Sequence, residues 1–318
     1  MPDCYCGSYM TALMFDKFPE CTEFSKNHLF GIRPRLQNQL LFRGAASSCS
    51  CLGALGYNFC LLQQRHKELF MIVLITGATA GFGAEMARRF IQGGHQVIAA
   101  GRRKDRLDAL AAELGSSLLP LTMDVTSKSS IIDGLAALPA AWREIDVLIN
   151  NAGLALGIEP AHKASLEDWE TMIETNCKGL VTMTRYILPD MVERNRGLII
   201  NIGSIAGANP YPGGNVYGAT KAFVDQFTLN LCADLIGTGV RATNIAPGLV
   251  GGTEFSNVRL KDDAAAAKVY EGTVPLTAGD IAETAYWIAT LPPHVNINYI
   301  ELMPTCQAFA GFTIKRSP

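Results

Sequence analysis

The chain has 318 residues, and 27 lysines and arginines against 29 aspartates and glutamates leave a formal charge of −2. That balance gives no basic surface for nucleic acid or anionic membrane, so neither is expected as a partner. No internal repeat or low-complexity tract interrupts the sequence. His28, His66, His95, His162 and His294 are scattered without ligand spacing, so no metal site is expected.

Residues 1–70 differ from the remainder. They hold six of the nine cysteines and seven of the fourteen phenylalanines, with no sustained periodicity. Cys4, Cys6, Cys21, Cys49, Cys51 and Cys60 lack the paired C-x-x-C spacing of a zinc ribbon. Residues 45–62 are mildly apolar but broken by Ser, Cys, Gly, Tyr and Asn. They are too weak for a transmembrane span and lie too far in for a secretory signal. Residues 71–318 have the length of one α/β domain.

Residues 71–75 form a β-branched apolar run, as expected of a strand buried on both faces. Gly77, Ala78, Thr79, Ala80, Gly81, Phe82 and Gly83 follow, then a helix over 84–91. Strand, glycine-rich turn and helix together place a pyrophosphate on a helix N-terminus, where free N–H groups and the dipole receive the anion. The spacing is G-x-x-x-G-x-G rather than the commoner G-x-G-x-x-G, and the flanking strand and helix supply the context that a glycine triplet alone lacks.

The next strand, 96–100, runs into Gly101, Arg102 and Arg103. A site for NAD(H) usually has a carboxylate here for the ribose hydroxyls. Two arginines in its place suit a 2′-phosphate, so NADP(H) is the expected cofactor. A strand over 119–125 brings up Asp124 and Val125, and the carboxylate could accept from an adenine amino group. The strand at 145–149 closes on Asn150, Asn151, Ala152 and Gly153, whose amides either stabilise the central sheet or line an adenosine pocket.

Ser204 closes another buried apolar strand, 198–203, and a helix then carries Tyr217 and Lys221 one turn apart on one face. Tyrosine ionises near pH 10 in water, and a fixed positive charge beside it favours phenolate. Alone, such a pair is more often a packed tyrosine and a solvated lysine. Beside a dinucleotide-binding turn, it becomes equipment for moving a proton on and off an oxygen. Residues 251–270 begin polar and glycine-punctuated, as expected of a mobile segment over a site. Arg259 and Lys261 lie in it, and either could pair with a substrate carboxylate or simply be solvated. A last strand is expected at 298–303. Strand and helix alternate six or seven times, which predicts an α/β fold: a Rossmann-type, doubly wound, mostly parallel sheet in a single domain over 71–318.

The glycine pattern, Asn150-Asn151-Ala152-Gly153, Asn176, Ser204, Tyr217 and Lys221 occur in the order and spacing of the short-chain dehydrogenase/reductase family. Pro247-Gly248 followed by Thr253 resembles that family's nicotinamide-side motif. The resemblance spans essentially residues 71–318 and implies roles. Tyr217 would be the catalytic acid/base, and Lys221 would lower its pKa and hold the nicotinamide ribose. Ser204 would orient the substrate oxygen, and Asn176 would hold a water linking Lys221 to solvent. The backbone through Pro247, Gly248, Val250 and Thr253 would cover the carboxamide and phosphates. It also implies a cytoplasmic homotetramer, in which the helices of Asn176 and Tyr217 meet their symmetry mates. A self-sufficient member would begin at Met71, so residues 1–70 are expected to be an over-extended gene start, or more rarely a targeting or interaction segment.

Residues 153–157, 159–163, 213–217, 248–256 and 291–298 look like those of the bacterial NADP-dependent 3-hydroxy acid dehydrogenases within that family. This implies a small hydroxy acid or semialdehyde substrate: serine, allo-threonine, or 3-hydroxypropionate with malonic semialdehyde. A broad NADPH-dependent carbonyl reductase would use the same catalytic residues. A non-catalytic NADP-binding sensor would typically have lost the tyrosine or the lysine.

Overall fold

In the computed structural model, residues 70–308 are described, and the expectations for the first 69 residues lie outside them. Strand β1 (Ile72–Thr76) is buried at all five positions. It pairs in parallel with β2 (Gln96–Gly101) on one side and β4 (Val147–Asn150) on the other. Beyond β2 lies β3 (Leu118–Thr122), and beyond β4 come β5 (Gly197–Ile202), β6 (Val240–Pro247) and β7 (Tyr299–Leu302). The order is β3-β2-β1-β4-β5-β6-β7 and every pairing is parallel, where a mostly parallel sheet was expected. The order reverses between β1 and β4, which opens a crevice at the strands' carboxyl ends. Pro120 lacks an N–H, and it sits on the edge strand β3, where that lack is tolerated.

Alternation along β1 divides the core in two. Val73 and Ile75 pack with Met86 and Phe90 of α1 (Gly81–Gln92), and with Ile281 and Ile288 of a helix spanning Ala278–Thr290. Ile72 and Leu74 face the other layer, with residues such as Met183 and Leu231. Helices therefore cover both faces, which is why the strands read as continuous apolar runs.

Between β2 and β3 lies α2 (Lys104–Leu114), and between β3 and β4 lies α3 (Lys128–Ala136). Next come α4 (Leu166–Ile173), α5 (Leu180–Glu193) and α6 (Asn215–Asp234), with a π-helical turn at Glu174–Gly179 joining α4 to α5. Residues 251–270 contain two short helices, α7 (Phe255–Leu260) and α8 (Asp263–Lys268); α9 is the Ala278–Thr290 helix. Asp262 caps α8 by accepting from the N–H groups of Ala264 and Ala265. No described helix is long and apolar enough to cross a membrane.

Candidate active site

The site begins at the turn after β1. Gly77 and Gly81 have φ of +66° and +52°, in the left-handed region that favours glycine. A Cβ on Gly83 would strike the Gly77 carbonyl oxygen and stand 2.7 Å from Asn151 Nδ2, so only glycine lets the turn close on α1. Asn151 braces this turn, its Nδ2 donating to the carbonyls of Thr76 at 2.8 Å and Gly77 at 3.2 Å. Helix α1 starts without a capping side chain or an acidic residue in its first turn. Its leading N–H groups therefore have no side-chain acceptor, as an anion site requires.

The turn forms one wall of a cleft of about 360 Å³. Gly77, Thr79, Ala80, Gly81 and Phe82 line it, together with Arg102, Arg103, Asp124 and Val125. Asn151, Tyr217, Lys221 and Thr253 complete the wall among the expected residues. Ala78 lies behind the wall, fully buried, with its N–H donating to Ala100 O at 3.0 Å. Gly83 also lies behind it, within the first turn of α1. Pro247, Gly248 and Val250 form a second layer. Gly248 N donates to Leu302 O at 2.7 Å, and Val250 bridges to Leu276. Of the residues expected on the nicotinamide side, Thr253 is the one on the cleft wall.

Arg103 donates to Thr79 Oγ1 from Nε at 3.1 Å and from Nη2 at 2.8 Å. Its Nη1 pairs with Glu254 at 2.9 Å, and Arg106 pairs with the other Glu254 oxygen at 2.6 Å. Arg106 escaped the sequence reading. Its signal was three residues' spacing from Arg103, which puts both on one face at the start of α2. Asp124 Oδ1 accepts from Thr126 N at 2.9 Å and Thr126 Oγ1 at 2.8 Å, so part of its accepting capacity fixes its own turn. The two amides divide their work. Asn150 Nδ2 ties Asn201 on the neighbouring strand β5 and Thr184 on helix α5, each at 2.9 Å, while Asn151 serves the turn and the cleft.

Helix α6 carries Tyr217 and Lys221, both 7% exposed. Lys221 Nζ donates to Ile202 O at 2.8 Å and lies 5.8 Å from the centroid of the Tyr217 ring. Burial pushes the Tyr217 phenol up to about 12, and a bond from the Ser204 hydroxyl and the charge of Arg259 pull it back. Burial also pushes the Lys221 ammonium down to about 8, against the opposing pull of Asp225 and Cys177. In the chain by itself, burial thus keeps the phenol protonated near neutrality, and the cation that pulls its pKa down is Arg259 where Lys221 was expected. Asp225, a further residue the sequence reading passed over, stands one turn beyond Lys221 and accepts from Asn244 Nδ2 at 2.6 Å.

Ser204 follows β5 and is nearly buried, its Oγ accepting from Ala206 N at 3.2 Å. Asn176 sits in the π-helical turn and is 2% exposed. Its Oδ1 accepts from Leu154 N at 2.9 Å, and its Nδ2 donates to Leu154 O at 2.8 Å and Thr220 Oγ1 at 3.1 Å. A Cβ placed on Gly153 would lie 3.3 Å from Asn176 Oδ1 and 3.5 Å from Lys221 Nζ, so those two groups face a common point. Neither Ser204 nor Asn176 is on the cleft wall itself.

A parallel sheet with a glycine turn at its switch point and a tyrosine–lysine pair across the cleft defines an α/β oxidoreductase. The chain belongs to the short chain dehydrogenase family, whose sequence profile matches residues 71–264. It is 66% identical over 248 residues to the NADP-dependent 3-hydroxy acid dehydrogenase YdfG of Salmonella typhi, covering 78% of this chain and 100% of that protein. It is 51% identical over 245 residues to the serine 3-dehydrogenase of Agrobacterium fabrum, covering 77% and 98%. Among solved structures, the closed form of a serine dehydrogenase complexed with NADP+ superposes with a TM-score of 0.77 at 64% identity, covering 78% of this chain and 100% of that one.

Proposed function

We propose that this enzyme transfers a hydride between NADP(H) and the 3-hydroxyl carbon of a short 3-hydroxy acid, with serine, allo-threonine and the 3-hydroxypropionate/malonic semialdehyde pair as candidate substrates. The observation that carries this reading is that Arg102 and Arg103 line the same cleft as Tyr217 and Lys221. The likeness to the 3-hydroxy acid and serine dehydrogenases supports the substrate class.

The residues present fit the cofactor. The Gly77–Gly83 turn offers a backbone cradle that a side chain would fill, and the arginine pair suits a 2′-phosphate. NADP, when bound, supplies the hydride chemistry. Tyr217 takes the proton of the substrate hydroxyl in oxidation and returns it in reduction. Lys221 lends positive charge to the phenolate, and Ser204 steadies the reacting oxygen. Asn176 Oδ1 and Lys221 Nζ lie near the same side of Gly153, and Asn176 would hold a water that connects the ammonium to solvent. The high phenol pKa of the chain alone keeps Tyr217 in the protonated form that reduction requires; oxidation depends on positive charge gathered around it.

A homotetramer is part of the same reading. Phe223 and Leu229 of α6 are 42% and 44% exposed, and Ile173 at the end of α4 is 47% exposed, an apolar surface on the helices expected to meet symmetry mates. Light scattering after size exclusion reads the assembly directly.

The deciding assay is NADP+ reduction with serine, allo-threonine and 3-hydroxypropionate against a panel of neutral alcohols. The acids should lead in kcat/KM. Equal or better turnover of the neutral alcohols would replace this reading with a broad carbonyl reductase, and no turnover of any compound despite tight NADPH binding would favour a sensor.

A further inference from the structure

We infer that Arg259 binds the substrate's carboxylate, which makes it the residue that selects hydroxy acids over neutral alcohols; this rests on the 3-hydroxy acid reading above and deepens it. The segment after β6 offers two cations near the site, and the structure separates them. Lys261 has a side chain 67% exposed and pairs with Asp168 at 3.5 Å, turned toward α4. Arg259, on the last turn of α7, faces Tyr217. Its Cζ lies 5.7 Å from the Tyr217 ring centroid and 5.3 Å from that of Tyr211.

The partners of Arg259 are neutral. Nε donates to Gly157 O at 3.1 Å and Nη2 to Gly213 O at 3.2 Å, while Gly157 N returns a bond to Arg259 O at 3.0 Å. Two loops thus fix the guanidinium plane, and no carboxylate among the described residues forms an ion pair with it. These bonds occupy two of the five N–H donors of a guanidinium, leaving both hydrogens of Nη1 for an anion. A half-buried guanidinium answered only by carbonyls and ring faces keeps its charge for an incoming acid.

The spacing suits a short molecule. In a 3-hydroxy acid, the carboxylate carbon is two carbon–carbon bonds from the reacting carbon, about 2.5 Å. Arg259 lies over the Tyr217 ring, its Cζ 5.7 Å from the ring centroid, so the two side chains can engage the carboxylate and the hydroxyl of one short molecule at once. Arg259 also lowers the Tyr217 pKa, so any test must separate binding of the acid from tuning of the phenol.

The test compares 3-hydroxypropionate with its neutral carboxamide, 3-hydroxypropionamide, in wild type and in Arg259→Gln and Arg259→Lys. Tuning of Tyr217 alters both substrates alike, so the acid-to-amide ratio of kcat/KM reports carboxylate recognition alone. Arg259→Gln should lower that ratio about 10- to 100-fold, mostly through KM for the acid, as loss of a charge-assisted bond implies. Arg259→Lys should restore part of the ratio, and both variants should keep the wild-type Kd for NADPH, which also shows that they are folded. An unchanged ratio in both variants overturns the proposal, as does a wild type that turns over the amide as well as the acid. A wild type that oxidises neutral alcohols and ignores the acid instead overturns the 3-hydroxy acid reading beneath it.

Discussion

Glu254 reaches across the mouth of the cleft to Arg103, its Oε2 accepting from Nη1 at 2.9 Å. Its second oxygen takes Arg106, so a single carboxylate is shared by two cations beside the place where the 2′-phosphate of NADP would sit. Those bonds, first from Arg106 and then from Arg103, hold the Glu254 carboxyl below the usual range, so the carboxylate persists to lower pH than an isolated one. A phosphate arriving at Arg103 meets Glu254 as a competitor. Glu254→Gln should therefore tighten NADPH about two- to fivefold, the worth of an exposed ion pair, and leave NADH unchanged. Arg103→Ala should weaken NADPH about 10- to 100-fold with little effect on NADH. Fluorescence titrations at fixed ionic strength decide both, because salt screens these charges. An equal response of the two cofactors would remove the 2′-phosphate from Arg103.

Tyr217→Phe removes the proton carrier and little else, since the ring's contact with Phe255, with centroids 5.8 Å apart, is kept. Turnover in both directions should fall about 10²- to 10⁴-fold, the range of general acid–base catalysis. NADPH binding should stay within a factor of about two of wild type. In wild type, oxidative kcat/KM should rise with pH as the phenol is lost, and the Phe variant should lack that limb. A near-wild-type rate, or a retained limb, would take Tyr217 out of the reaction.

Lys221 combines a functional position with a stability cost. Burial holds its folded pKa at about 8, below the ordinary 10.5. Between those values the unfolded chain binds more protons, so stability rises with pH through that window. Below about pH 8 the cost of the buried ammonium is fully present. Lys221→Met should relieve it, and the Tm difference from wild type should be largest below pH 8 and shrink toward pH 10.5. Turnover should be lost at the same time. A Tm difference independent of pH would show that the ammonium is not destabilised by burial.

Much of this was legible in the residues. The alternation of apolar strands with helical segments showed six of the seven strands, Val240–Pro247 being the one not picked out, and the spacing of Tyr217 and Lys221 showed one helix face, because both patterns are local. The glycines at 77, 81 and 83 were legible for the same reason: positive φ and close approach leave no other residue suitable. What could not be read was pairing across distance. Glu254 meets Arg103 over a sequence separation of 151, and Arg259 meets Gly157 over 102. The balance at Tyr217 was hidden as well, because burial of the phenol depends on the whole fold. The third strand ends at Thr122 rather than Val125, since the Asp124–Thr126 bonds turn the chain away first.

Asn176 offers a check on the π-helical turn. That turn aims its carboxamide inward, where one side chain satisfies both Leu154 N and Leu154 O and also reaches Thr220. Asn176→Ala leaves Leu154's backbone groups without these partners, and such an unpaired group costs about 1–3 kcal/mol. For a domain of this size, a loss of about 2 kcal/mol lowers Tm by about 4–8 °C. Asn176→Asp keeps the acceptor for Leu154 N, loses both donors, and places a carboxylate beside Lys221, so it should raise the Lys221 pKa. Calorimetry and steady-state assays separate the two roles. If Asn176 only braces Leu154, turnover in both variants should track the loss of Tm and recover on cooling. If it also serves the proton path, Asn176→Asp should stay slow at temperatures where it is fully folded, with NADPH binding intact.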